Sequence, residues 1–493
     1  MTLKYKCEPL GGPAKPATAV FLPAGADCLE RFDELSALKP LIQPHLASGA
    51  FKGGYLDALS LYPAADCWLV LIGLGRLEEL TEARLLEAAA KAGKTLSSLR
   101  VKEAVVCLPP LPHGAVKTSE LVAEGLILAL STRPTLKSAP PEPPALKSLT
   151  LQTLSASNFI DRSKSVISRA EAMAKAQLEA RRLTDLPANI LTPEALAAEA
   201  VSLGKAKMLK VTVWDEKKLQ AEGAGGILAV GQGSLNPPRL VSIEYQGAAG
   251  LGSDPPVVLV GKGVTFDSGG LCIKPSESMS LMKSDMAGAA AVLAVMGAAA
   301  AMRLPKRLSA IVPLAENMPS GAAFRPGDII TCANGKTVEV INTDAEGRLL
   351  LADALSLAQK RGPAAVIDIA TLTGACAVAL GDKVAGLFCD DQKLSKAIID
   401  SGQAVGEAFW PLPLVEAYDD GLKSDLADCK HWASRTGGAI HAALFLRRFV
   451  DKSVPWAHLD IAGPGRNGKE TPSCPEGASG FGVRTILKML ADG

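Results

Sequence analysis

The chain has 493 residues, of which 48% are hydrophobic and 21% are charged. This length is enough for two or three domains, and the composition is typical of a soluble globular protein rather than a disordered one. The net charge of +1 at pH 7 gives no argument for nucleic acid or a membrane surface as a partner. Ten cysteines without a CxxC pair predict reduced thiols in a cytoplasmic protein, not disulfides or a thiolate zinc site.

The N-terminal part of the chain predicts a small α/β domain, which we place at residues 1–155. Its first 15 residues show no targeting pattern, and short apolar strands such as Trp68–Ile72 and Ala104–Leu108 alternate with helical stretches. A proline cluster between residues 134 and 144 predicts a loop or linker near the domain boundary. Helical periodicity from Ile160 to Arg182 predicts a linking helix within residues 156–185.

The rest of the chain, residues 186–493, predicts a second and larger domain with a mostly parallel, doubly wound sheet, because strands and helices alternate. The predicted strands are Val257–Val260, Leu308–Pro313, Val338–Asn342, Val366–Ala370 and Ala457–Ile461. The alanine-rich run from Met286 to Met302 is short for a membrane span and is preceded by the charged residues Lys283 and Asp285. It therefore predicts a buried helix. The segment PGRNGKETPSCPEGASG near the end of the chain predicts a long surface loop.

Four charged residues follow the first strand of this sheet within a short distance. Lys262 stands at the strand end, Asp267 in a glycine-rich turn, Lys274 in a loop and Asp285 at the start of the alanine-rich helix. Each has an ordinary structural explanation when taken alone. These explanations are a lysine reaching water, an Asx-turn, a solvated loop lysine and a helix N-cap.

A second charged group lies in the segment NTDAEGRLLLADAL, where Asp344, Glu346 and Arg348 alternate before a predicted helix. Thr343 and Glu346 match the two positions of a capping box. Gly347 and Arg348 fit a helix start poorly, because glycine costs about 1 kcal/mol relative to alanine and a cation opposes the helix dipole there. Both suit a site that a negatively charged ligand approaches closely.

The two groups together predict a metal site, because the carboxyl ends of parallel strands face one crevice. Three aspartates and a glutamate packed together would repel one another, and divalent cations would remove that repulsion. Oxygen ligands with one nitrogen suit Zn²⁺, Mn²⁺ or Mg²⁺, and the set is large enough for two ions. The five histidines are far apart and form no HExxH motif, so carboxylates must supply most ligands.

The segments NTDAEGRLLLADAL and VGKGVTFDSGG resemble the signature segments of the leucyl aminopeptidase family, the two-zinc cytosol aminopeptidases. Further resemblance is carried by KPSESMSLMKSDMAGAAAV, ENMPSGAAFRPGD, IDIATLTGAC, GGAIHAALFL and WAHLDIAG. The likeness extends through roughly residues 180 to 485 and is weak over the first 150. It implies a small variable N-terminal domain, a homohexamer, and removal of N-terminal residues, often leucine, from peptides.

The resemblance also implies a role for each matched position. The ligands of two Zn²⁺ or Mn²⁺ ions per subunit would be Lys262, Asp267, Asp285, Asp344 and Glu346. The catalytic residues would be Lys274, which stabilises an oxyanion, and Arg348, which holds a bicarbonate ion as general base. The residues near the substrate would be Met282, Thr371, Leu372, Gly374 and Ala462, where Met282 and Ala462 favour an apolar side chain. Lys262 must bind as the neutral amine, and we expect burial and the metal charge to lower its pKa.

Two rival hypotheses belong to other functional classes. A metal-dependent phosphatase or nuclease could use a similar two-metal carboxylate site. The sequence contains no basic substrate channel, however, and a metal-binding lysine beside DSGG argues against that class. A binding protein, with an N-terminal domain that recognises a nucleotide or nucleic acid, is disfavoured by the near-neutral charge and the lack of a basic stripe.

Overall fold

The computed structural model describes residues 2–7, 12–14, 16–25, 29, 33–108, 111, 114–131, 135–139, 142, 144–153, 160–207, 209–248 and 254–492. The chain divides into two compact units, which are Met1–Lys175 with Lys469–Pro475 and Ala176–Gly468 with Glu476–Gly493. Both units are built from sheets and helices, so the predicted α/β class is confirmed.

The first division between the units falls inside a helix, Ile160–Asp185, which the periodicity had predicted from Ile160. The limits proposed from the sequence for the domains and the linker remain a prediction. Four prolines of the predicted linker, Pro134, Pro140, Pro141 and Pro143, lie outside the described residues, as does part of the 15-residue N-terminal segment.

The first unit contains a six-stranded sheet in the order β1-β6-β5-β2-β4-β3, in which only the β3–β4 pair is antiparallel among the described strands. Its strands are β1 (Thr2–Cys7), β2 (Ala17–Pro23), β3 (Ala58–Ala64), β4 (Cys67–Gly75), β5 (Glu103–Leu108) and β6 (Ser148–Thr153). Its helices are α1 (Lys39–Ala47), α2 (Glu82–Ser98) and α3 (Gly114–Ala129), with 3-10 helices at Asp33–Leu38 and Leu77–Glu79, and α4 (Ile160–Asp185) leads out of it. The predicted strands Trp68–Ile72 and Ala104–Leu108 are confirmed.

Alternation along the strands explains why this sheet has helices on both faces. In β2, Phe21 packs into the apolar cluster formed with α2 and α3, whereas Val20 and Leu22 pack into the cluster that contains Ile42 of α1. Successive side chains of a strand point to opposite faces, so a fully apolar strand such as β2 requires cover on both sides.

The second unit contains a larger sheet, to which nine described strands belong, in the order β16-β15-β18-β14-β9-β11-β8-β7, with β10 beside β11. These strands are β7 (Lys210–Trp214), β8 (Arg239–Tyr245), β9 (Val257–Gly261), β10 (Gly263–Asp267), β11 (Leu308–Asn317), β14 (Ala365–Ala370), β15 (Val384–Cys389), β16 (Ala408–Pro411) and β18 (Trp456–Asp460). The central run β18-β14-β9-β11 is parallel, and antiparallel pairs occur at β15–β18, β11–β8 and β8–β7. The predicted mostly parallel sheet is confirmed.

The predicted strand Val338–Asn342 was wrong in its length and in its sheet. Only β13 (Thr337–Glu339) is a strand, and it joins β12 (Ile329–Thr331) and β17 (Cys429–Lys430) in a separate three-stranded sheet. The predicted surface loop at residues 464–480 also needs correction. It contains the short antiparallel pair β19 (Arg466–Asn467) and β20 (Gly477–Ala478), and most of its residues are at least half-buried.

The helices of the second unit cover both faces of the large sheet. They are α5 (Pro193–Lys207), α6 (Glu216–Ala221), α7 (Gly225–Gly231), α8 (Ser276–Met279), α9 (Ala287–Ala301), α10 (Gly347–Gln359), α11 (Gly374–Leu380), α12 (Gln392–Val405), α13 (Gly438–Arg447) and α14 (Val483–Asp492). Short 3-10 helices lie at Met282–Ser284, Thr343–Ala345 and Glu416–Leu422. In β9, Val258 and Val260 pack into the core cluster that contains α7, α10 and α13, whereas Gly261 faces α9.

Helix α9 lies very close to the end of β9. A Cβ on Gly261 would stand 2.6 Å from the carbonyl oxygen of Gly288, so glycine at this position permits the approach. The surrounding stretch Met282–Ala301 is long and apolar enough to cross a membrane, but 83% of the relevant window is buried inside the protein. The predicted buried helix is confirmed, and its start is held against the carboxyl end of the parallel strands.

Candidate metal and catalytic site

Polar residues collect where three neighbouring strands of the large sheet end. Lys262 follows the last residue of β9, Asp267 ends β10, and Asn317 ends β11. Because β10 and β11 run parallel with Asp267 opposite Asn317, these side chains reach the same edge. The 3-10 helix at Thr343–Ala345 and the start of α10 bring Asp344 and Glu346 to them, so the structure brings the two sequence segments together.

Lys262 is buried at the centre of the first part of the site. Its Nζ lies 2.8 Å from Asp285 Oδ1, 3.0 Å from Glu346 Oε1 and 3.1 Å from the carbonyl oxygen of Thr371. Burial lowers the pKa of Lys262, but the charges of Asp285 and Glu346 outweigh it and hold the pKa above its ordinary value. This direction describes the lysine paired with carboxylates, whereas the lowered pKa expected from the sequence applies to the metal-bound amine and stays a prediction.

Gly347 is required by the path of the Lys262 side chain. A Cβ at Gly347 would lie 2.2 Å from Lys262 Cε and 2.6 Å from its Nζ, distances at which atoms overlap. The sequence had suggested that an approaching ligand explains this glycine. In the structure the lysine side chain occupies that space, so Gly347 makes room for a residue of the site itself.

Lys274 forms the second part of the site. Its Nζ lies 2.9 Å from Asp267 Oδ2 and also contacts Asp344 Oδ1. The backbone of Lys274 is fixed as well, since its N–H donates to the carbonyl oxygen of Ser268 at 2.9 Å. Burial lowers the pKa of Lys274, but the carboxylate of Asp267 outweighs this effect and raises it above the ordinary value.

The four carboxylates are crowded, as predicted from the sequence. Burial raises the pKa of Asp285 to about 6 and, with the neighbouring carboxylates, raises the pKa of Asp267 well above its ordinary value. Burial also acts on Glu346, but the charges of Lys262 and Lys274 outweigh it and lower its pKa. Carboxylates of this kind repel one another, and a cation beside them would favour their charged forms.

This donor set fits divalent metal ions. One oxygen atom each from Asp267, Asp344 and Glu346 lies within 4.8 Å of the others. The second oxygen of Glu346, Oε2, is buried and has no hydrogen-bond partner among the described residues, which is costly unless something binds it. Clustered carboxylate oxygens with one amine nitrogen are ligands that suit Zn²⁺ or Mn²⁺.

Arg348 is buried beside this cluster on the first turn of α10. Its Nη1 donates to the carbonyl oxygen of His431 at 2.8 Å, while its Nε has no partner among the described residues. Burial lowers the pKa of Arg348 to about 10, so it remains a cation at neutral pH. Burial lowers the pKa of His431 to about 4, and its neutral ring bonds the carbonyl oxygen of Asn342 at 2.8 Å through Nε2.

Thr343 does not cap α10, so the predicted capping box was wrong. The residue at the N-cap of α10 is Glu346, and Asn342 caps the preceding 3-10 helix through the N–H of Asp344. The hydroxyl of Thr343 instead donates to the carbonyl oxygen of Gly269 and accepts from the N–H of Cys272 at 2.8 Å. It therefore joins the glycine-rich turn after Asp267 to the start of the second segment.

Two buried residues that position the site, Asn317 and Asp460, were not among those predicted from the sequence. Asn317 donates through Nδ2 to Asp267 Oδ1 at 2.8 Å and to the carbonyl oxygen of Thr343 at 2.9 Å. Asp460 accepts from the hydroxyl of Thr373 at 2.7 Å and from the N–H of Leu372 at 3.2 Å. Both stand at the end of a strand, as Lys262 does, and that position was the available signal.

A cavity of about 690 Å³ opens beside the charged cluster. Its lining includes Asp344 and Arg348 of the cluster, together with Leu372 and Gly374. The other three residues predicted near the substrate do not line it. Thr371 donates its hydroxyl to Asp285 Oδ1 at 2.7 Å, Ala462 donates its N–H to Asp460 Oδ1 at 3.1 Å, and Met282 begins the 3-10 helix before Asp285.

Comparison with protein families identifies both parts of the chain. Residues 178–487 match the cytosol aminopeptidase family, catalytic domain, and residues 22–140 match the N-terminal domain of the same family. A probable cytosol aminopeptidase of Nitratidesulfovibrio vulgaris is 45% identical over 433 residues, which cover 86% of this chain and 85% of that protein. One of Desulfovibrio desulfuricans is 45% identical over 459 residues, covering 92% and 91%.

Solved structures give the same result. The bottromycin maturation enzyme BotP in complex with Mn has a TM-score of 0.85 and 35% identity, covering 97% of this chain and 99% of its own. A mutant of tomato leucine aminopeptidase has a TM-score of 0.88 and 31% identity, covering 100% and 97%. The family match extends over most of the chain, and the alignments cover 85% and 91% of the two relatives. The chain therefore belongs to the cytosol aminopeptidase family and is a metal-dependent aminopeptidase.

Proposed function

We propose that the protein releases N-terminal amino acids, with leucine and other apolar residues preferred, from peptides at a site for two divalent metal ions. The observation that carries this proposal is the convergence of five potential ligands and two further cations at one edge of the sheet. The ligands would be Lys262, Asp267, Asp285, Asp344 and Glu346. When bound, two such ions supply hydroxide at neutral pH and polarise a carbonyl group.

Zn²⁺ and Mn²⁺ are the ions we propose. The carboxylate-rich ligand set with one nitrogen supports either ion, and BotP, a structural relative, has been solved with Mn. Lys262 carries a proton between Asp285 and Glu346 when no metal competes for it. Metal binding would therefore displace a proton from Lys262, since only the neutral amine has a lone pair to donate.

Lys274 is the proposed electrophilic residue. It stands between Asp267 and Asp344, is only partly exposed, and its raised pKa keeps it charged. An ammonium held in place by two carboxylates can donate a hydrogen bond to the oxygen of the scissile carbonyl as negative charge develops there. Stabilisation of this kind needs no reorganisation during the reaction.

Arg348 is the proposed anchor of an anionic proton acceptor. It is buried at the cavity lining, it remains charged, and its Nε is without a partner among the described residues. By resemblance the anion is bicarbonate, which a guanidinium holds through charge-assisted hydrogen bonds. We assign the cavity lined by Arg348 to the substrate. An anion held by Arg348 would face the substrate there and can act as a general base.

The substrate would lie with its N-terminal residue at the cluster. We propose that Met282, Thr371, Leu372, Gly374 and Ala462 surround that residue, with Met282 and Ala462 favouring an apolar side chain. The positions of Thr371 and Leu372, which are tied to Asp285 and Asp460, support a fixed wall beside the cluster. Resemblance further supports a homohexamer and a cytoplasmic location, with no role for a membrane or nucleic acid.

Hydrolysis of leucine p-nitroanilide by the purified protein tests this proposal. We expect activity that disappears after chelation and returns when Zn²⁺ or Mn²⁺ is restored. A folded protein with metal bound but no activity on this substrate or on leucyl peptides would contradict the proposal. A phosphate-ester assay run in parallel would then show whether the metal site belongs to a phosphatase.

A further inference from the structure

The cavity beside the site has a second arginine at its edge. Arg435 lines the cavity and is exposed, whereas Arg348 is buried and holds the carbonyl oxygen of His431. Within the described ranges, the guanidinium of Arg435 has neither an ion pair nor a hydrogen-bond partner. The lining includes three charged residues, Asp344, Arg348 and Arg435. Asp344 contacts Lys274, and Arg348 is the proposed anchor of the anionic proton acceptor, so of the three Arg435 is the cation that has no role in the proposed reaction.

The backbone of Arg435 is held in place, although its side chain is free. Its carbonyl oxygen accepts from the N–H of Gly438 at 3.2 Å, and the hydroxyl of Ser434 donates to the carbonyl oxygen of Thr436 at 2.8 Å. Gly437 adopts a φ of +67°, a left-handed conformation that favours glycine. The turn therefore fixes where the arginine side chain leaves the backbone.

The start of helix α13 adds to the positive potential at the same place. Residues 438–440, its first three, line the cavity. The N–H of Gly438 is taken by the carbonyl oxygen of Arg435, whereas the N-cap Gly437 offers no side chain to the N–H groups of residues 439 and 440. The N-terminus of a helix carries partial positive charge and favours anions. Arg435 and this helix end together make this part of the cavity lining attractive to a carboxylate.

The cavity also has the size and walls of a site for a short peptide. Its volume of about 690 Å³ falls within the range of pockets that enclose small ligands. Leu412 and Trp432 add apolar surface to a lining that also contains Asp344 and Arg348 of the charged cluster and Arg435. A peptide with its N-terminal residue at the cluster would place its remaining residues along these walls.

We infer that Arg435 binds the C-terminal carboxylate of dipeptides and tripeptides, so that the enzyme prefers short peptides with a free carboxyl terminus. This inference rests on the proposed function, because it requires the scissile bond to lie at the metal cluster. An acidic side chain in the leaving portion of the peptide offers the same chemistry. The terminal carboxylate is our choice because the Arg435 turn lies at the edge of the cavity.

The test compares free-acid and amidated substrates. We would measure kcat/KM for leucyl-leucine and leucyl-glycyl-glycine and for the C-terminal amide of each, in the full-length, metal-loaded protein. The variant Arg435→Gln removes the charge, and Arg435→Lys retains it. Lys217→Gln, on the exposed surface of α6 and away from the cavity lining, is the charge-matched control.

For each peptide we divide kcat/KM of the free acid by kcat/KM of its amide. We expect this ratio to fall by up to about fivefold for at least one peptide in Arg435→Gln, the effect of losing a solvent-exposed ion pair. Arg435→Lys should retain part of the ratio, and Lys217→Gln should keep the wild-type value. High salt should lower the wild-type ratio, since the contact is exposed. Unchanged ratios for both peptides in Arg435→Gln would overturn the inference while leaving the proposed function intact.

Two further outcomes are distinguishable. A matched pair, leucyl-aspartyl-amide and leucyl-asparaginyl-amide, reports on side-chain carboxylates. If Arg435→Gln changes only the ratio of kcat/KM between these two amides, Arg435 binds an acidic side chain and the inference is wrong. If the wild-type protein hydrolyses none of these peptides, the proposed function fails and the inference fails with it.

Discussion

Two lysines of the site each lie between two carboxylates, but they differ in how far they are buried. Lys262 lies between Asp285 and Glu346, and its side chain is 4% exposed. Lys274 lies between Asp267 and Asp344, and its side chain is 15% exposed, with Asp344 at 32%. Lys262 also contacts the carbonyl oxygen of Thr371 and passes over Gly347. Among the described residues, Lys274 is held by the two carboxylates and its backbone.

This difference suggests why one lysine suits a metal and the other a substrate. An enclosed amine surrounded by fixed oxygens can share a metal ion with them, but it cannot reach a peptide. A partly exposed ammonium beside a cavity can meet a carbonyl oxygen, as electrostatic catalysis requires. A lysine between two carboxylates can therefore have either proposed role. The difference in burial is what distinguishes Lys262 from Lys274.

Removal of Lys262 should have the largest effect on stability. In chelator, Lys262→Met leaves Asp285 and Glu346 buried without their cation, and we expect a loss of about 3–5 kcal/mol in the free energy of unfolding. Urea denaturation measures this loss. Lys274→Met is the matched control and should lose less, because Asp344, one of its two partners, reaches water. Equal losses in the two variants would contradict the contrast drawn between them.

Removal of Lys274 should act on the reaction instead. We expect Lys274→Ala to lower kcat about 10²–10³-fold, the cost of losing one donor to a developing oxyanion, while the metal content stays at the wild-type value. Steady-state kinetics and elemental analysis of the same preparation measure both quantities. Loss of metal from Lys274→Ala would mean that this lysine, too, supports the ions.

The third cation, Arg348, lies beside a buried histidine, His431, whose titration predicts a pH effect on stability. The pKa of His431 is lowered to about 4 in the folded protein, so between pH 6.5 and 4 the unfolded chain binds more protons than the folded one. Stability should therefore fall as the pH falls through this range, by about 3 kcal/mol at most. The slope of unfolding free energy against pH measures it.

His431→Gln is the comparison for that slope. Glutamine does not titrate in this range, so the variant should lose the contribution of His431 to the pH dependence even if it is less stable throughout. An unchanged slope between pH 6.5 and 4 would show that His431 is not held neutral by its burial.

The smallest effect concerns the space around Lys262. Gly347→Ala puts a methyl group within 2.2 Å of Lys262 Cε, and overpacking of this kind costs about 1–3 kcal/mol. Gly321→Ala is the control, because a Cβ there meets nothing within 4 Å and its φ is not in the left-handed region. Thermal unfolding of both variants measures the difference. Because alanine is favoured over glycine in a helix by about 1 kcal/mol, a gain of that size in Gly347→Ala would mean that Lys262 can move aside at no cost.

Strand ends were the part of the site that the sequence could predict. Lys262 and Asp267 follow apolar runs long enough to identify as strands, and parallel strands bring their ends together. The same rule applied to Asn317 and Asp460, but a neutral amide and a single aspartate give no charge cluster that would draw attention. Their value comes from hydrogen bonds to residues distant in sequence.

Other features depended on tertiary contacts that no local pattern contains. The apolar run after Thr337 is equally consistent with a strand of either sheet, since periodicity does not identify the partner strand. Thr343 fits a capping box locally, but its hydroxyl donates to the carbonyl oxygen of Gly269 instead. Gly347 looks unfavourable in a helix until the path of Lys262 is known.

Metal titration of the chelated protein tests the central claim most directly. Binding of Zn²⁺ or Mn²⁺ would be followed by calorimetry and by elemental analysis of the loaded protein, in the wild type and in Asp344→Ala. We expect two ions per chain in the wild type and fewer in the variant, because Asp344 is a proposed ligand. Two ions in Asp344→Ala, or none in the wild type, would contradict the assignment of this cluster as a two-metal site.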